Sequence, residues 1–147
     1  MADIARNRQA AYKYNFLEKW EAGMQLQGSE VKSLRNGGVQ LKDSFATVTD
    51  GEVWLHNMHI APYAPASREN HEPERSRKLL LHKGEIERLI GRTAEKGLTL
   101  IPTRLYWKDG RAKVEIALAR GKNVQDKRRY LKEKDARREI QQALQDR

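Results

Sequence analysis

The sequence predicts a mainly β domain: an antiparallel sheet curled into a small barrel, with a few short helices and a basic C-terminal tail. Three observations carry this. Apolar and polar residues alternate with a period of two in several stretches, two Asp-Gly pairs sit between such stretches, and helical period appears at only two places in the body. The first alternating stretch runs through Phe16, Glu18 and Trp20 into Met24 and Leu26. Val39, Leu41, Phe45 and Val48 form the next, and Val53, Leu55, Met58 and Ile60 follow. Asp50-Gly51 separates Phe45–Thr49 from Glu52–His56, and Asp109-Gly110 separates Leu98–Lys108 from Arg111–Ala119. Asp-Gly tolerates the positive φ angles of a type I′ turn, so both pairs read as hairpins. Pro102 lacks an N–H donor and therefore belongs at an edge or a bulge of its strand.

The first helix is expected from Ser29 to Asn36, about two turns, with Gly37-Gly38 as its stop. The second spans Lys83 to Lys96, places Ile86, Leu89, Ile90 and Ala94 on one stripe, and stops at Gly97. Gly91 inside it costs roughly 1 kcal/mol relative to Ala. Between strands and helix, Ala61 to Arg77 holds three prolines and six charged side chains in 17 residues and reads as a mobile loop.

Composition narrows the function. At 147 residues the chain fits one domain with an appendage: a body over residues 1–122 and a tail over 123–147. No cysteine is present, so a disulfide framework and a thiolate zinc site are both excluded, which suits a cytoplasmic protein held by packing. The polar stretch Met1 to Ala11 reads as neither a signal peptide nor a membrane span. The mean hydropathy of -0.88 and a pI near 9.9 point to a soluble partner of a polyanion. Membrane is the weaker choice, because no amphipathic helix has the aromatic or Leu face that interfacial binding needs.

The charge is unevenly placed. Arg120 to Arg147 carries ten Lys or Arg against five Asp or Glu, +5 of the +9 total. Lys and Arg on a solvated arm gain affinity for nucleic acid by releasing condensed counterions. A plain solubilising tail is the competing use of such a run. Leu131, Ala136, Ile140, Ala143 and Leu144 form a thin stripe there. So little apolar area does not offset chain entropy, and the tail is expected to be unstructured alone and helical when bound.

Catalysis finds little support. His56 and His59 fall on opposite faces of an extended chain without carboxylates at ligand spacing, and Glu18 and Glu21 diverge in the same way. Ser29, Ser33 and Ser44 lack a nucleophile-elbow context, and Gly37-Gly38 is a turn rather than a phosphate loop. Neither a cofactor nor a metal is expected. Trp20, Trp54, Tyr106 and Trp107 fall on strands, where core packing is the default and stacking on splayed bases the alternative.

Three segments carry a resemblance. Trp20-Glu21-Ala22-Gly23 leads into Gly28 to Arg35 with the sequence Gly-Ser-Glu-Val-Lys-Ser-Leu-Arg, and Arg77 to Lys83 reads Arg-Lys-Leu-Leu-Leu-His-Lys. Tyr106-Trp107-Lys108 then precedes Ala112 to Ile116, Ala119 to Lys122 and Asp126-Lys127-Arg128. From about Asn7 to Arg138 the chain closely resembles the SsrA-binding proteins, the small protein B family that partners transfer-messenger RNA in trans-translation. The resemblance implies an oligonucleotide-binding-like β-barrel with flanking helices. It also implies that the body holds the elbow of the tRNA-like domain while the tail enters the empty mRNA channel and decoding centre, lined by 16S rRNA, of a stalled 70S ribosome. Elongation factor Tu and alanyl-tRNA synthetase are then reached only through the RNA, and the protein itself makes or breaks no bond.

The RNA-contacting positions implied by the family fall on Asn7, Glu21, Leu80 and Lys113. Asn7 would bond a base edge or 2′-hydroxyl, or serve as a loop or helix-cap residue. Glu21 would accept from base or ribose donors, orient a neighbouring cation, or form a salt bridge. Lys113 would meet phosphate; Leu80, in its apolar triplet, would shape the surface rather than touch RNA, with plain core packing its expected role. The implied ribosome-contacting positions are Gly121, Lys122, Gln125, Asp126, Lys127, Arg128, Lys132, Arg137 and Arg138. Within the tail motif Asn123 replaces a usual Lys, and Gln125 stands where a base-stacking His is common. Ala117 replaces a frequent Gly and needs ordinary β conformation. A general RNA chaperone or small ribosomal protein is the second reading, and a nucleic-acid-processing enzyme the third.

Overall fold

The computed structural model describes residues 3–63 and 70–145. Three long strands dominate it: β2 (Tyr14–Met24), β8 (Leu98–Lys108) and β9 (Arg111–Gly121), numbered in the order that follows. The remaining elements are β1 (Asp3–Arg6), α1 (Ala10–Lys13), α2 (Gly28–Arg35), β3 (Val39–Gln40), β4 (Phe45–Thr49), β5 (Glu52–His56), β6 (His59–Ile60), β7 (Arg77–Leu80), α3 (Lys83–Thr93) and α4 (Val124–Gln145).

Neighbouring strands pair in the order β8-β4-β5-β7-β2-β9, and β9 returns to β8, so the antiparallel sheet closes on itself. Closure removes the unpaired edges that an open sheet would leave. β8 is long enough to share one edge between two partners, with Leu100 opposite Ala46 of β4 and Arg104 to Tyr106 opposite β1. β3 and β6 form a separate two-stranded ribbon.

Both Asp-Gly turns form as expected. Asp50 and Gly51 have φ of 52° and 74°, Asp109 and Gly110 have 53° and 75°, and the flanking strands pair in register from Thr49↔Glu52 and Lys108↔Arg111. The register slips between Pro102 and Arg104, which is the bulge that a proline in a paired strand requires. Ala117 is buried in β9 and is absent from the positive-φ residues.

Two alternating stretches do not continue as single strands. Asp43 (φ 61°) and Asn57 (φ 63°) adopt the left-handed conformation that Asp and Asn tolerate, ending β3's approach to β4 and separating β5 from β6. The apolar residues between the strands are buried nonetheless: Leu41 and Met58 plug the barrel beside Val53, Leu55, Leu79, Leu105, Val114 and Ile116. Of the expected α3 stripe, Leu89 is fully buried and Ile86 partly, whereas Ile90 is 47% exposed. A short helix lying on a curved surface touches β4 and β8 along only one line.

The segment expected to be a loop ends earlier than its composition suggests. Arg77 already belongs to β7 and is completely buried, donating to Glu30, to the Met58 carbonyl at 2.6 Å and to the Pro73 carbonyl at 3.1 Å. His71 is also buried, between Ser29 Oγ at 2.9 Å and the Ile60 carbonyl at 2.8 Å. The expected mobility over residues 64–69 falls outside the described residues.

The basic tail forms α4, a helix of 22 residues. Asn123 and Asp126 cap its start reciprocally: the Asp126 N–H donates to Asn123 Oδ1 at 2.8 Å and the Asn123 N–H to Asp126 Oδ2 at 3.4 Å. The Asn that departs from the family's usual Lys is thus well suited to begin a helix. No described helix is long and apolar enough to cross a membrane.

Candidate nucleic-acid interface

One outward row of the barrel runs across four strands. Tyr106 of β8 lies opposite Lys113 of β9, Lys113 opposite Gly23 of β2, and Gly23 opposite Leu80 of β7. The next row on the same side joins Arg104, Glu115 and Glu21. Glu21, Leu80 and Lys113, 92 positions apart at the extremes of sequence, are therefore brought together by register alone.

Gly23 is the centre of that patch. A Cβ built on it would lie 3.4 Å from Leu80 Cβ and 3.5 Å from Lys113 Nζ. A Cβ there would meet both at ordinary van der Waals distance, so the Lys113 ammonium and the Leu80 side chain flank a stretch of bare backbone. Contrary to the core-packing expectation, Leu80 is 47% exposed, because Arg77 and Leu79 take the inward positions of this strand. It shares the wall of a groove of about 490 Å³ with Met24, Leu26, Val31 and Trp107, and Arg111 and Lys113 line it too.

Glu21 is held from both sides: the Tyr106 hydroxyl donates to its Oε2 and Lys108 Nζ to its Oε1 at 3.1 Å. The Tyr106 hydrogen bond first, then that of Lys108, hold its carboxyl below the usual carboxylate range. Burial and the Glu21 carboxylate conversely push the Tyr106 hydroxyl well above its ordinary value, and Arg104 covers the Tyr106 ring at 4.4 Å. The patch thus presents a fixed carboxylate acceptor beside ammonium donors and an apolar wall. That set can read the donors of a base or ribose, hold a phosphate and pack on a base face.

Asn7 stands apart from the other three. Its side-chain amide donates to the Pro102 carbonyl at 3.0 Å and the Leu41 carbonyl at 3.4 Å, and its N–H to the Thr103 carbonyl at 2.8 Å. It ties the N-terminal arm across the Pro102 bulge, which is its loop role. It also lines a groove of about 500 Å³ with Arg6, Arg8, Lys19, Arg104, Glu115 and Lys134, and Glu115 pairs with Glu21.

Tyr106, Lys108, Gly23 and Trp107 join the site in addition to the positions the resemblance implies. Alternation along β8 puts Arg104, Tyr106 and Lys108 on one face, a signal that was readable; the register placing them over Glu21 was not. Trp20 is buried in the core as the packing default expects; Tyr106 is buried on the outer face instead, beneath Arg104 and against Glu21, and Trp54 and Trp107 remain half-buried.

Elsewhere the polar residues have structural partners. Glu18 pairs with Arg88 at 3.0 Å, away from Glu21; His56 bonds Thr47 and Ser76, and His59 lies 3.6 Å from Glu74. Ser29, Ser33 and Ser44 bond His71, the Ala61 carbonyl and the Leu41 carbonyl. Among the described residues no three His, Asp or Glu side chains gather as a metal site.

Gly121 closes β9, and the other tail positions named above lie on Lys122 or α4. Lys122, Asp126 and Lys127 are half-buried, whereas Gln125, Arg128, Lys132, Arg137 and Arg138 are exposed.

Residues 4–146 match the family profile SmpB protein. An SsrA-binding protein of Carboxydothermus hydrogenoformans is 57% identical over 141 residues, covering 96% of this chain and 95% of that protein. One from Geobacillus thermodenitrificans is 56% identical over 144 residues, covering 98% and 93%. A chain of a solved structure described as "tmRNA-SmpB: a journey to the center of the bacterial ribosome" superposes with a TM-score of 0.70 at 48% identity, covering 88% of this chain and 95% of that one. With nearly its whole length matched, the chain belongs to the SmpB family of SsrA-binding proteins.

Proposed function

We propose that this protein is a non-enzymatic RNA-binding factor of trans-translation in the bacterial cytoplasm. Its body grips the tRNA-like domain of transfer-messenger RNA, and its tail enters the decoding centre and mRNA channel of a stalled ribosome. Together they imitate a tRNA paired to a codon. The ribosome then accepts the alanine-charged RNA, tags the nascent chain for degradation and is released. Elongation factor Tu and alanyl-tRNA synthetase act on the RNA, not on this chain.

The observation that carries the reading is the convergence of Glu21, Leu80 and Lys113 around Gly23 on one outer face of the barrel. Such a patch is built for a defined RNA shape, since carboxylate acceptors repel phosphate and are useful only where a donor is presented.

Two measurements test it. Binding to a labelled tRNA-like domain, competed by excess ordinary tRNA at about 0.15 M salt, is expected to survive the competitor, because weak phosphate contacts are largely screened there. Easy displacement would mean a general RNA chaperone or ribosomal protein instead. Replacing Lys113 by Ala is expected to weaken binding of this RNA and to reduce the slope of log affinity against log salt by about one, the signature of one lost phosphate contact. An unchanged slope would remove Lys113 from the phosphate contacts.

A further inference from the structure

The root of the tail is fastened to the body by two adjacent tyrosines flanked by two lysines. Lys122 Nζ lies 4.0 Å from the Tyr130 ring centroid, Tyr130 lies 6.3 Å from Tyr12 at 55°, and Lys127 Nζ lies 5.4 Å from the Tyr12 ring. Tyr12 belongs to α1, Tyr130 and Lys127 to α4. Lys122 also donates from its backbone N–H to the Lys13 carbonyl at 2.8 Å and from Nζ to the Ala11 carbonyl at 2.6 Å. These are carbonyls of α1 that its single turn leaves unpaired, so the start of the tail completes α1.

Burial along α4 follows the same line. Asp126, Lys127 and Tyr130 are half-buried at spacings of three and four, and every described side chain from Leu131 onward is exposed. The clasp therefore divides the tail motif. Lys122 and Lys127 face the body, while Gln125, Arg128 and Lys132 form the exposed stripe at i, i+3 and i+7.

We infer that Tyr12 and Tyr130 are positioning residues: they clasp the first turns of α4 to α1 and so aim the Gln125–Arg128–Lys132 face at the RNA the tail meets. A tail held at a fixed angle reaches its site at a higher effective concentration than one swinging from a free joint. Body and tail can then act as one rigid imitation of a tRNA on its codon. This consequence rests on the function proposed above; the clasp itself does not.

Hydrogen exchange on the free full-length protein reads the clasp directly. Amides of residues 128–134 are expected to exchange more slowly than those of 138–145, and Tyr130→Ala or Tyr12→Ala is expected to erase the difference. Ala is a better helix former than Tyr, so Tyr130→Ala would raise protection if Tyr130 served only the helix. In tagging assays Tyr130→Ala is expected to lose about tenfold while tRNA-like-domain affinity stays within about twofold. Tyr130→Phe, which keeps the ring, is expected to restore tagging, whereas Tyr130→Leu is not. Equal exchange along α4 in the unaltered protein, or full tagging by Tyr130→Ala, would overturn the inference. If the unaltered protein fails to select the tRNA-like domain, the proposed function falls while the exchange result still decides the clasp.

Discussion

Removing residues 123–147 is expected to leave binding to the tRNA-like domain nearly intact and to abolish tagging. The body face that gathers Glu21, Leu80 and Lys113 draws its residues from β2, β7 and β9, all within residues 14–121. Its strands pair with one another, and the main packing of α4 on the body is against α1. The deleted segment holds eight basic and five acidic side chains, so truncation removes some affinity for any polyanion and lowers the salt dependence without touching the selective contacts. Tagging behaves differently, because the tail is the only part proposed to reach the decoding centre. Fluorescence anisotropy with the labelled domain and a stalled-ribosome tagging assay, run on the same preparation, separate the two. Equal losses in both would end the division of labour between body and tail.

The tail also shows where sequence reading ran short. Its basic charge and thin stripe are plain in the composition, and Leu131, Ile140 and Leu144 of that stripe are exposed on α4. We propose that the distal part of α4 is marginal in the free protein, because helices of this length gain most of their stability from packing that it lacks. What composition could not reveal was the clasp. Tyr12 and Tyr130 are 118 positions apart in sequence, and neither has a neighbour pattern that names the other.

In the body, local chemistry was legible and register was not. Asp50-Gly51 and Asp109-Gly110 specify their turns through φ angles that few residues adopt, and Pro102 demands its bulge for want of a donor. Leu80 was misjudged because it stands in an apolar triplet, Leu79 to Leu81, whose members cannot all face inward on a strand. The phase of the alternation was the unread variable: Arg77, a charged residue, takes the inward slot, and the pattern looks inverted unless its buried partner is known.

That partner makes the second large prediction. Arg77→Met and Glu30→Gln are each expected to destabilise the fold by about 3–5 kcal/mol, a large share of the roughly 5–15 kcal/mol of a domain's stability. Glu30 is fully buried, accepting from Arg77, from Arg75 at 2.6 Å and from the Gln27 N–H at 2.8 Å. Removing either partner strands a charge away from water. The double variant should cost less than the sum of the singles, since it leaves neither charge alone. Burial works to raise the Glu30 carboxyl, but the hydrogen bonds from Arg75, Gln27 and Arg77 outweigh it and hold the group below its ordinary 4.5. A depressed folded-state value means the network stabilises fully above about pH 4.5 and loses that contribution as pH falls through the folded value. Urea midpoints measured from pH 7 to pH 3 should therefore fall with pH in the unaltered protein and fall less in Glu30→Gln, where the titrating group is gone. Flat midpoints in both would mean that the Glu30 carboxyl is not held below its ordinary value in the folded protein. Because Arg77 sits three residues before Leu80 on the same short strand, the same variants should also loosen the RNA-facing wall, lowering affinity for the tRNA-like domain even at temperatures where the barrel stays folded.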